Sequence, residues 1–120
     1  MTPSYILIYV DAPQASGAFY ADLLGRAPVE NSPTFVLFVF ESGLKLGLWS
    51  KHTVLPAATG TAGAAEIAIT VAAETLDATF ADWTAKGVAI AQPPTALDFG
   101  RSFVGLDPDG HRIRVFTPAP

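Results

Sequence analysis

The chain has 120 residues, half of them hydrophobic and 15% charged, with a net charge of −4 and a pI near 4.8. Such a length supports one domain with a modest core, and the apolar content excludes a disordered chain. The acidic balance argues against a nucleic-acid partner, which would require a basic surface. The absence of cysteine excludes disulfides and thiolate metal ligands.

The first half of the chain predicts strands around one helix. The apolar run YILIYV predicts a strand over 5–10, and a helical stretch over about 13–24 ends at Gly25. The runs TFVLFVF and KLGLWS predict strands over 34–40 and 45–50, joined by the turn ESG.

The second half repeats this order of elements. An aligned pair of segments begins at Tyr5 and Glu66, and each consists of an apolar strand, a corner of small residues and a helical stretch. The predicted elements are a strand over 66–71, a helix over about 74–86 ended by Gly87, a short strand near 88–91, a break at Pro93–Pro94, and a hairpin over 101–106 and 111–117.

These elements predict an α+β fold built from two β-α-β-β-β modules. The stretch HTVLPAATGTAGAA is rich in small residues and separates the halves as a linker. We therefore expect a single domain over 1–120, with module 1 at about 4–51, the linker at about 52–64 and module 2 at about 65–118. The modules are expected to form an open, half-barrel-like curved sheet with the helices on its outer face.

The longest apolar runs, YILIYV and FVLFVF, have the length of strands and fall far short of a membrane span. Neither run follows a basic segment, so no signal peptide is predicted. The expected location is the cytoplasm, without a membrane partner.

Strand alternation separates an aliphatic face from a mixed one. If the helices cover one face of each sheet, the residues of that covered face are all aliphatic. They are Ile6, Ile8, Val10, Leu44, Leu46, Leu48, Ile67, Ile69, Val71, Ile113 and Val115. The opposite face combines aromatic, small and charged side chains, as a ligand-binding surface does. Its members are Tyr5, Leu7, Tyr9, Lys45, Gly47, Trp49, Glu66, Ala68, Thr70, Arg112, Arg114 and Phe116.

Two motifs carry a resemblance to a known family. FYADLLG after the first strand and DPDGHRIRV near the end, within paired modules, resemble the vicinal-oxygen-chelate superfamily of glyoxalase, bleomycin-resistance and extradiol-dioxygenase proteins. The similarity spans residues 5–117. Within it, FGRSFVGLDPDGHRIRV (99–115) and the strand end LWS are most similar to the phenazine-resistance proteins, which bind drugs without metal.

The resemblance implies four metal-ligand positions, which fall here on Tyr5, Gly47, Glu66 and Arg114. Only Glu66 suits a divalent cation, because glycine offers no side-chain donor and arginine brings a permanent positive charge. We therefore expect no metal and no cofactor. Glu66 and Arg114 are instead expected to pair, either closing the vacant metal position or also contacting a ligand.

The candidate ligand-binding residues form a slot for a planar ring. Trp49 is the expected stacking wall, although a role as core or interface filler stays open, and Gly47 removes bulk beside it. Further binding candidates on this face are Tyr5, Tyr9, Glu66, Arg114 and Phe116. Phe99 and Arg101, in an expected loop before the last hairpin, and His52, at a strand end near the rim, complete the set.

The predicted function is metal-independent binding and sequestration of a planar aromatic molecule, such as a phenazine-like antibiotic, which confers resistance without catalysis. One alternative is a metal-free lyase or isomerase with Glu66 as the base, which a nearby Arg114 would weaken. Another is a metal enzyme with displaced ligands, for example Glu66 and His52. The resemblance also implies a homodimer in which modules of both chains enclose each site.

Overall fold

The computed structural model describes residues 1–120 as two compact units, Met1–Gly63 and Ala64–Pro120. Each unit has one α-helix and one open, four-stranded mixed sheet. The predicted α+β fold of two β-α-β-β-β modules is therefore confirmed. Neither helix has the length and apolar content needed to cross a membrane.

The first unit consists of β1 (Tyr5–Val10), α1 (Pro13–Leu24), β2 (Glu30–Asn31), β3 (Phe35–Val39) and β4 (Lys45–Ser50). The strand order is β1-β4-β3-β2, with β1 parallel to β4 and the other pairs antiparallel. The two-residue β2 supplies a strand that the sequence pattern did not locate, because it is too short to show alternation.

Helix α1 begins at Pro13 and ends at Gly25, whose φ of 62° is the left-handed conformation that glycine adopts readily. Its buried face includes Ser16, Gly17 and Tyr20, the last only 1% exposed. The helix packs on β3 at Gly17, where an added Cβ would lie 2.9 Å from Val36 Cγ1. The lack of a side chain at Gly17 therefore allows this face of the helix to lie close to the sheet.

The second unit consists of β5 (Glu66–Thr70), a 3₁₀ turn (Ala73–Thr75), α2 (Leu76–Ala85), β6 (Ala89–Leu97), β7 (Gly100–Leu106) and β8 (Arg112–Pro118). The strand order is β5-β8-β7-β6, with β5 parallel to β8. Trp83 of α2 is 3% exposed and meets the fully buried Phe103 of β7 at 5.2 Å between ring centroids. Leu76, Phe80 and Trp83 recur at i, i+4 and i+7, a spacing that predicts one apolar stripe on the helix. Trp83 is a core residue, in agreement with this pattern.

The predicted strand end near residue 91 is wrong, because β6 continues through Pro93 and Pro94 to Leu97. Proline is tolerated here since β6 is the edge strand of its sheet, where one side needs no hydrogen-bond donors. Irregularities in the pairing with β7, before and after Gln92, absorb the missing donors.

The predicted loop before the last hairpin is also shorter than expected. Only Asp98 and Phe99 lie between β6 and β7, and both Gly100 and Arg101 belong to β7. The turn is tight because Leu97 and Gly100 are direct partners across the β6–β7 pair.

Two exposed ion pairs tie loops of the first unit to its strand ends and its helix. His52 Nε2 lies 2.7 Å from Asp11 Oδ1, and the hydrogen bond between them lowers the pKa of Asp11 below its ordinary value of 3.8. A hydrogen bond from Arg26 lowers the pKa of Glu41 below its ordinary value of 4.5. The charged form of each carboxylate is therefore more stable in the native chain than in the unfolded one.

These two carboxylates predict a specific acid dependence of stability. A native pKa below the unfolded value stabilises the fold above the unfolded pKa, and this contribution is lost as the pH falls through the native pKa. We expect the Asp11→Asn, Glu41→Gln double variant to melt slightly below the wild type at neutral pH. The gap is expected to close as the pH falls through the lowered native pKa values of the two carboxyl groups.

Circular-dichroism melts between neutral pH and the acid limit measure this gap. The Glu74→Gln variant, which removes an exposed carboxylate with no ion pair, is the control. A gap that widened in acid would contradict the assignment of both pairs.

Candidate functional site

An aromatic hollow of about 510 Å³ lies on one face of the first sheet, lined by Tyr5, Leu7, Phe35 and Trp49. The strand register brings these residues together, because Leu7 pairs with Gly47 and Phe35 pairs with Trp49. Directly paired residues point to the same side of a sheet. The hollow is thus made from β1, β3 and β4, and three of its four side chains are aromatic.

Gly47 lies between Leu7 and Phe35, two of the residues that line the hollow. A Cβ at this position would lie 2.6 Å from Leu7 Cδ2 and 2.8 Å from Phe35 Cε1 and Cζ. Any side chain here would displace Leu7 and Phe35 into the space that they now border. The role of Gly47 beside Trp49 stays a prediction.

The rings of Phe35 and Trp49 meet edge to face, with centroids 6.0 Å apart and an angle of 78°. This geometry is favourable for aromatic pairs and positions Trp49 without stacking Phe35 flat against it. Trp49 is half-buried, whereas Tyr5 is 49% exposed with Lys45 Nζ 5.0 Å from its ring centroid. Trp49 is therefore held more firmly than Tyr5 in the lining of the hollow.

Tyr9 lies on the same strand face as Tyr5 and Leu7 and is 40% exposed, but it does not line the hollow. Its role in ligand binding stays a prediction.

Glu66 and Arg114 pair in the second unit. Arg114 Nε donates to Glu66 Oε2 at 3.1 Å, and a terminal nitrogen lies 3.4 Å from Oε1. The other terminal nitrogen donates to the buried Ser102 Oγ at 2.9 Å. The side chains of Arg114 and Glu66 are 18% and 39% exposed, so the pair is open to one side. Both oxygens of Glu66 are engaged by one guanidinium, as the sequence predicts.

Phe99 and Phe116 flank this ion pair. Their rings meet edge to face at 5.8 Å, and the Arg114 guanidinium carbon lies 5.9 Å from the Phe99 ring centroid. The turn between β6 and β7 thus brings Phe99 back over β8. Both aromatic residues were predicted site residues, and the structure places them next to Arg114.

His52 and Arg101 have partners of their own. His52 binds Asp11, while Arg101 donates to both carboxylate oxygens of Asp77 on α2 at 2.9 Å. Neither residue lines the hollow of its unit. Their contact with a ligand stays a prediction, and in each case that contact competes with an existing ion pair.

The four positions that the resemblance assigns to a metal do not fit a divalent cation. Gly47 offers no donor and has no room for one, and the Arg114 guanidinium occupies both oxygens of Glu66. A positive charge beside the only carboxylate of the set opposes cation binding.

A second group of metal-ligand types stabilises the DPDG turn. Asp107, Asp109 and His111 lie close together, but Asp107 Oδ1 accepts the backbone N–H groups of Asp109 and His111 at 2.9 Å. His111 is 3% exposed, and its Nδ1 accepts the backbone N–H of Ala65 at 3.0 Å. These bonds explain the cluster as support for the β7–β8 connection.

Sequence patterns alone did not identify Phe35 as a site residue, and they indicated Ser102 only as a loop residue that could meet a ligand, not as a partner of Arg114. Phe35 was recognised only as part of an apolar strand, because its position beside Trp49 depends on the register between β3 and β4. Ser102 is fully buried and contacts Arg114 across the β7–β8 pair, where its cross-strand partner is Phe116. Both contacts depend on the pairing of strands, which cannot be predicted from the periodicity of one strand.

The fold, the motifs and these sites correspond to one protein class: the chain belongs to the glyoxalase/bleomycin resistance protein/dioxygenase superfamily, whose family model matches residues 2–115. This confirms the predicted family. The chain is also 33% identical over 120 residues to the phenazine antibiotic resistance protein EhpR of Enterobacter agglomerans. The match covers 96% of this chain and 91% of that protein.

Solved structures share the fold of this chain. A protein of Agrobacterium tumefaciens studied by solution NMR is 50% identical with a TM-score of 0.89, over 100% of this chain and 99% of that one. A glyoxalase-related enzyme from Fulvimarina pelagi shares the fold, with 24% identity and a TM-score of 0.83 over 98% and 88% of the two chains.

Proposed function

We propose that this protein binds a planar aromatic small molecule without metal and confers resistance by sequestering it. The observation that carries the proposal is the aromatic hollow of the first unit, lined by Tyr5, Leu7, Phe35 and Trp49. The similarity to a phenazine antibiotic resistance protein supports the resistance role and suggests a phenazine-like ligand.

The hollow suits a flat, apolar ligand. Its volume of about 510 Å³ lies within the range of roughly 300–1,000 Å³ typical of small-molecule sites. Each aromatic contact adds about 0.5–1.5 kcal/mol beyond the burial of apolar surface. Several such contacts together with burial reach about −8 kcal/mol, a micromolar Kd. Sequestration is stoichiometric, so this affinity suffices when the protein is in excess over the drug.

The chemistry of the side chains supports the proposed metal independence. Of the four positions assigned by the resemblance, only Glu66 is a carboxylate, and Arg114 holds both of its oxygens. We therefore expect ligand affinity to be unchanged by a chelator.

An enzyme that uses Glu66 as a base is the weaker candidate. A general base must reach the proton that it removes. Arg114 engages both carboxylate oxygens of Glu66, at 3.1 and 3.4 Å, so a substrate proton competes with this ion pair for the same oxygens. No contact in the second unit favours proton abstraction over this pairing.

The homodimer stays a prediction from the resemblance. Its support within the chain is exposed apolar surface, including Ile6 at 46%, Val29 at 67% and Leu55 at 80% exposure. Surfaces of this kind are common where chains associate.

Fluorescence titration with phenazine tests the proposed function. Trp49 borders the hollow, whereas Trp83 is 3% exposed in the core of the second unit, so quenching reports on Trp49. We expect saturable quenching at about one ligand per chain with a micromolar Kd, identical with and without EDTA. A bulky glycopeptide drug is the matched control and should give no saturation. Absence of saturation with phenazine, or a requirement for added metal, would refute the proposal.

A further inference from the structure

A second hollow, of about 270 Å³, lies on the sheet of the second unit. Unlike the aromatic hollow, it combines apolar and cationic side chains. Its lining residues are Ala91, Gln92, Leu97, Val104, Arg112 and Arg114. The hollow is built from β6, β7 and β8, where Gln92 pairs with Val104 and Val104 pairs with Arg114.

The two arginines of this hollow differ in their charge balance. Arg114 is neutralised by Glu66 and also donates to Ser102. Arg26 and Arg101, elsewhere in the chain, each hold a carboxylate as well. Arg112 makes no ion pair and no side-chain hydrogen bond within the chain, and it is exposed at the rim. Arg112 is therefore the one arginine without an ion pair, although Glu66 is its cross-strand neighbour in the β5–β8 pair.

Gln92 lies in the same hollow, and its side-chain amide also has no hydrogen-bond partner within the chain. A guanidinium presents a planar fork of donors, and a primary amide adds a further donor of similar reach. A carboxylate matches such a set, since its two oxygens accept several hydrogen bonds in one plane. Ala91, Leu97 and Val104 supply apolar contact for the carbon skeleton that carries the carboxylate.

From this arrangement we infer that the second hollow is a binding subsite for the carboxylate of an organic acid with an apolar skeleton, held by Arg112 and Gln92. The subsite stands on residues of the second unit alone and does not depend on the proposed role of Trp49. It goes beyond the proposed function because it adds a charge requirement: a neutral amide of the same shape lacks the anionic group that Arg112 binds.

The test compares phenazine-1-carboxylate with phenazine-1-carboxamide, which have similar shape and differ in charge at neutral pH. Two-dimensional NMR follows the Arg112 Nε–H and Gln92 side-chain amide signals, which report on this hollow and not on the aromatic one. We expect the carboxylate to shift both signals saturably and the carboxamide to leave them in place. Equal shifts with both compounds would overturn the inference.

Variants complete the test. Arg112→Gln is expected to lower the affinity for the carboxylate, measured from the Gln92 shift, by about tenfold to a hundredfold. Arg112→Lys keeps the charge without the planar guanidinium donors, so its affinity should fall by less. Lys86→Gln removes one positive charge from α2 of the same unit, away from the hollow, and should change nothing. Unchanged affinity in Arg112→Gln would overturn the subsite.

Inorganic phosphate is the last arm of the experiment. If phosphate shifted the two signals at the same concentration as the organic acid, the hollow would be a general anion site and the inferred ligand class would be wrong. Tryptophan quenching is read in the same samples. Loss of quenching with retained Gln92 shifts refutes the proposed function alone, and the reverse pattern refutes the subsite alone.

Discussion

Replacing Trp49 by alanine is expected to raise the Kd for phenazine by about thirtyfold, corresponding to about 2 kcal/mol of lost binding free energy. Trp49 supplies a half-buried aromatic wall of the hollow, and its removal also leaves Phe35 without its edge-to-face partner. Because the substitution deletes the fluorescent reporter, calorimetry or the absorbance of the ligand measures the affinity.

Two further variants separate the loss of the wall from a loss of folding. Trp49→Phe keeps an aromatic ring and should retain most of the affinity. Gly47→Val keeps Trp49 but pushes Leu7 and Phe35 into the hollow, so affinity should fall with the wall intact. Full affinity in Trp49→Ala, with a native melting profile, would show that the ligand binds elsewhere.

Gly100→Ala is expected to lower the free energy of unfolding by about 3 kcal/mol or more. Gly100 has a φ of +142°, and an added Cβ would lie 2.1 Å from the carbonyl oxygen of Thr117 and 2.8 Å from the backbone nitrogen of Ala119. These atoms belong to the backbone and have no alternative rotamer. The strands β7 and β8 must therefore separate at this end, which also displaces the neighbouring Phe99 from Arg114 and Phe116.

Gly110→Ala is the matched control for this prediction. Gly110 also has a positive φ, +89°, but no atom lies within 4 Å of its added Cβ. It should lose only the conformational cost of a left-handed residue, about 1–2 kcal/mol. Chemical denaturation of both variants measures the difference. Equal losses would mean that the contact with Thr117 is relieved without strain.

Several parts of the fold were predictable because they depend on local signals. The bounds of β1 and β4 follow from apolar runs, and those of α1 from its apolar run and the glycine that ends it. Trp83 was predictable as a core residue since its apolar neighbours recur at helical spacing. The Glu66–Arg114 pair was predictable only through the family resemblance, which placed two distant residues on one face.

The course of β6 was not predictable from local signals. Two adjacent prolines indicate a break in a central strand, and only the sheet order reveals that β6 is an edge strand. The length of the turn at Phe99 was also not predictable from local signals, because the β6–β7 pairing determines where β7 begins. The absence of an ion pair at Arg112 was also not predictable from local signals, because it depends on which arginine pairs with Glu66.

The sequence by itself determined the two-module α+β organisation, the separation of aliphatic from mixed strand faces, and the absence of a side-chain metal donor at Gly47. These properties reside in the order and spacing of residue types along one strand or helix. Only the tertiary structure decided that Phe35 lies beside Trp49, that Ser102 supports Arg114, and that Arg112 and Gln92 share a hollow. The physical reason is strand register: pairing between distant segments decides which side chains become neighbours, and no single segment encodes that pairing alone.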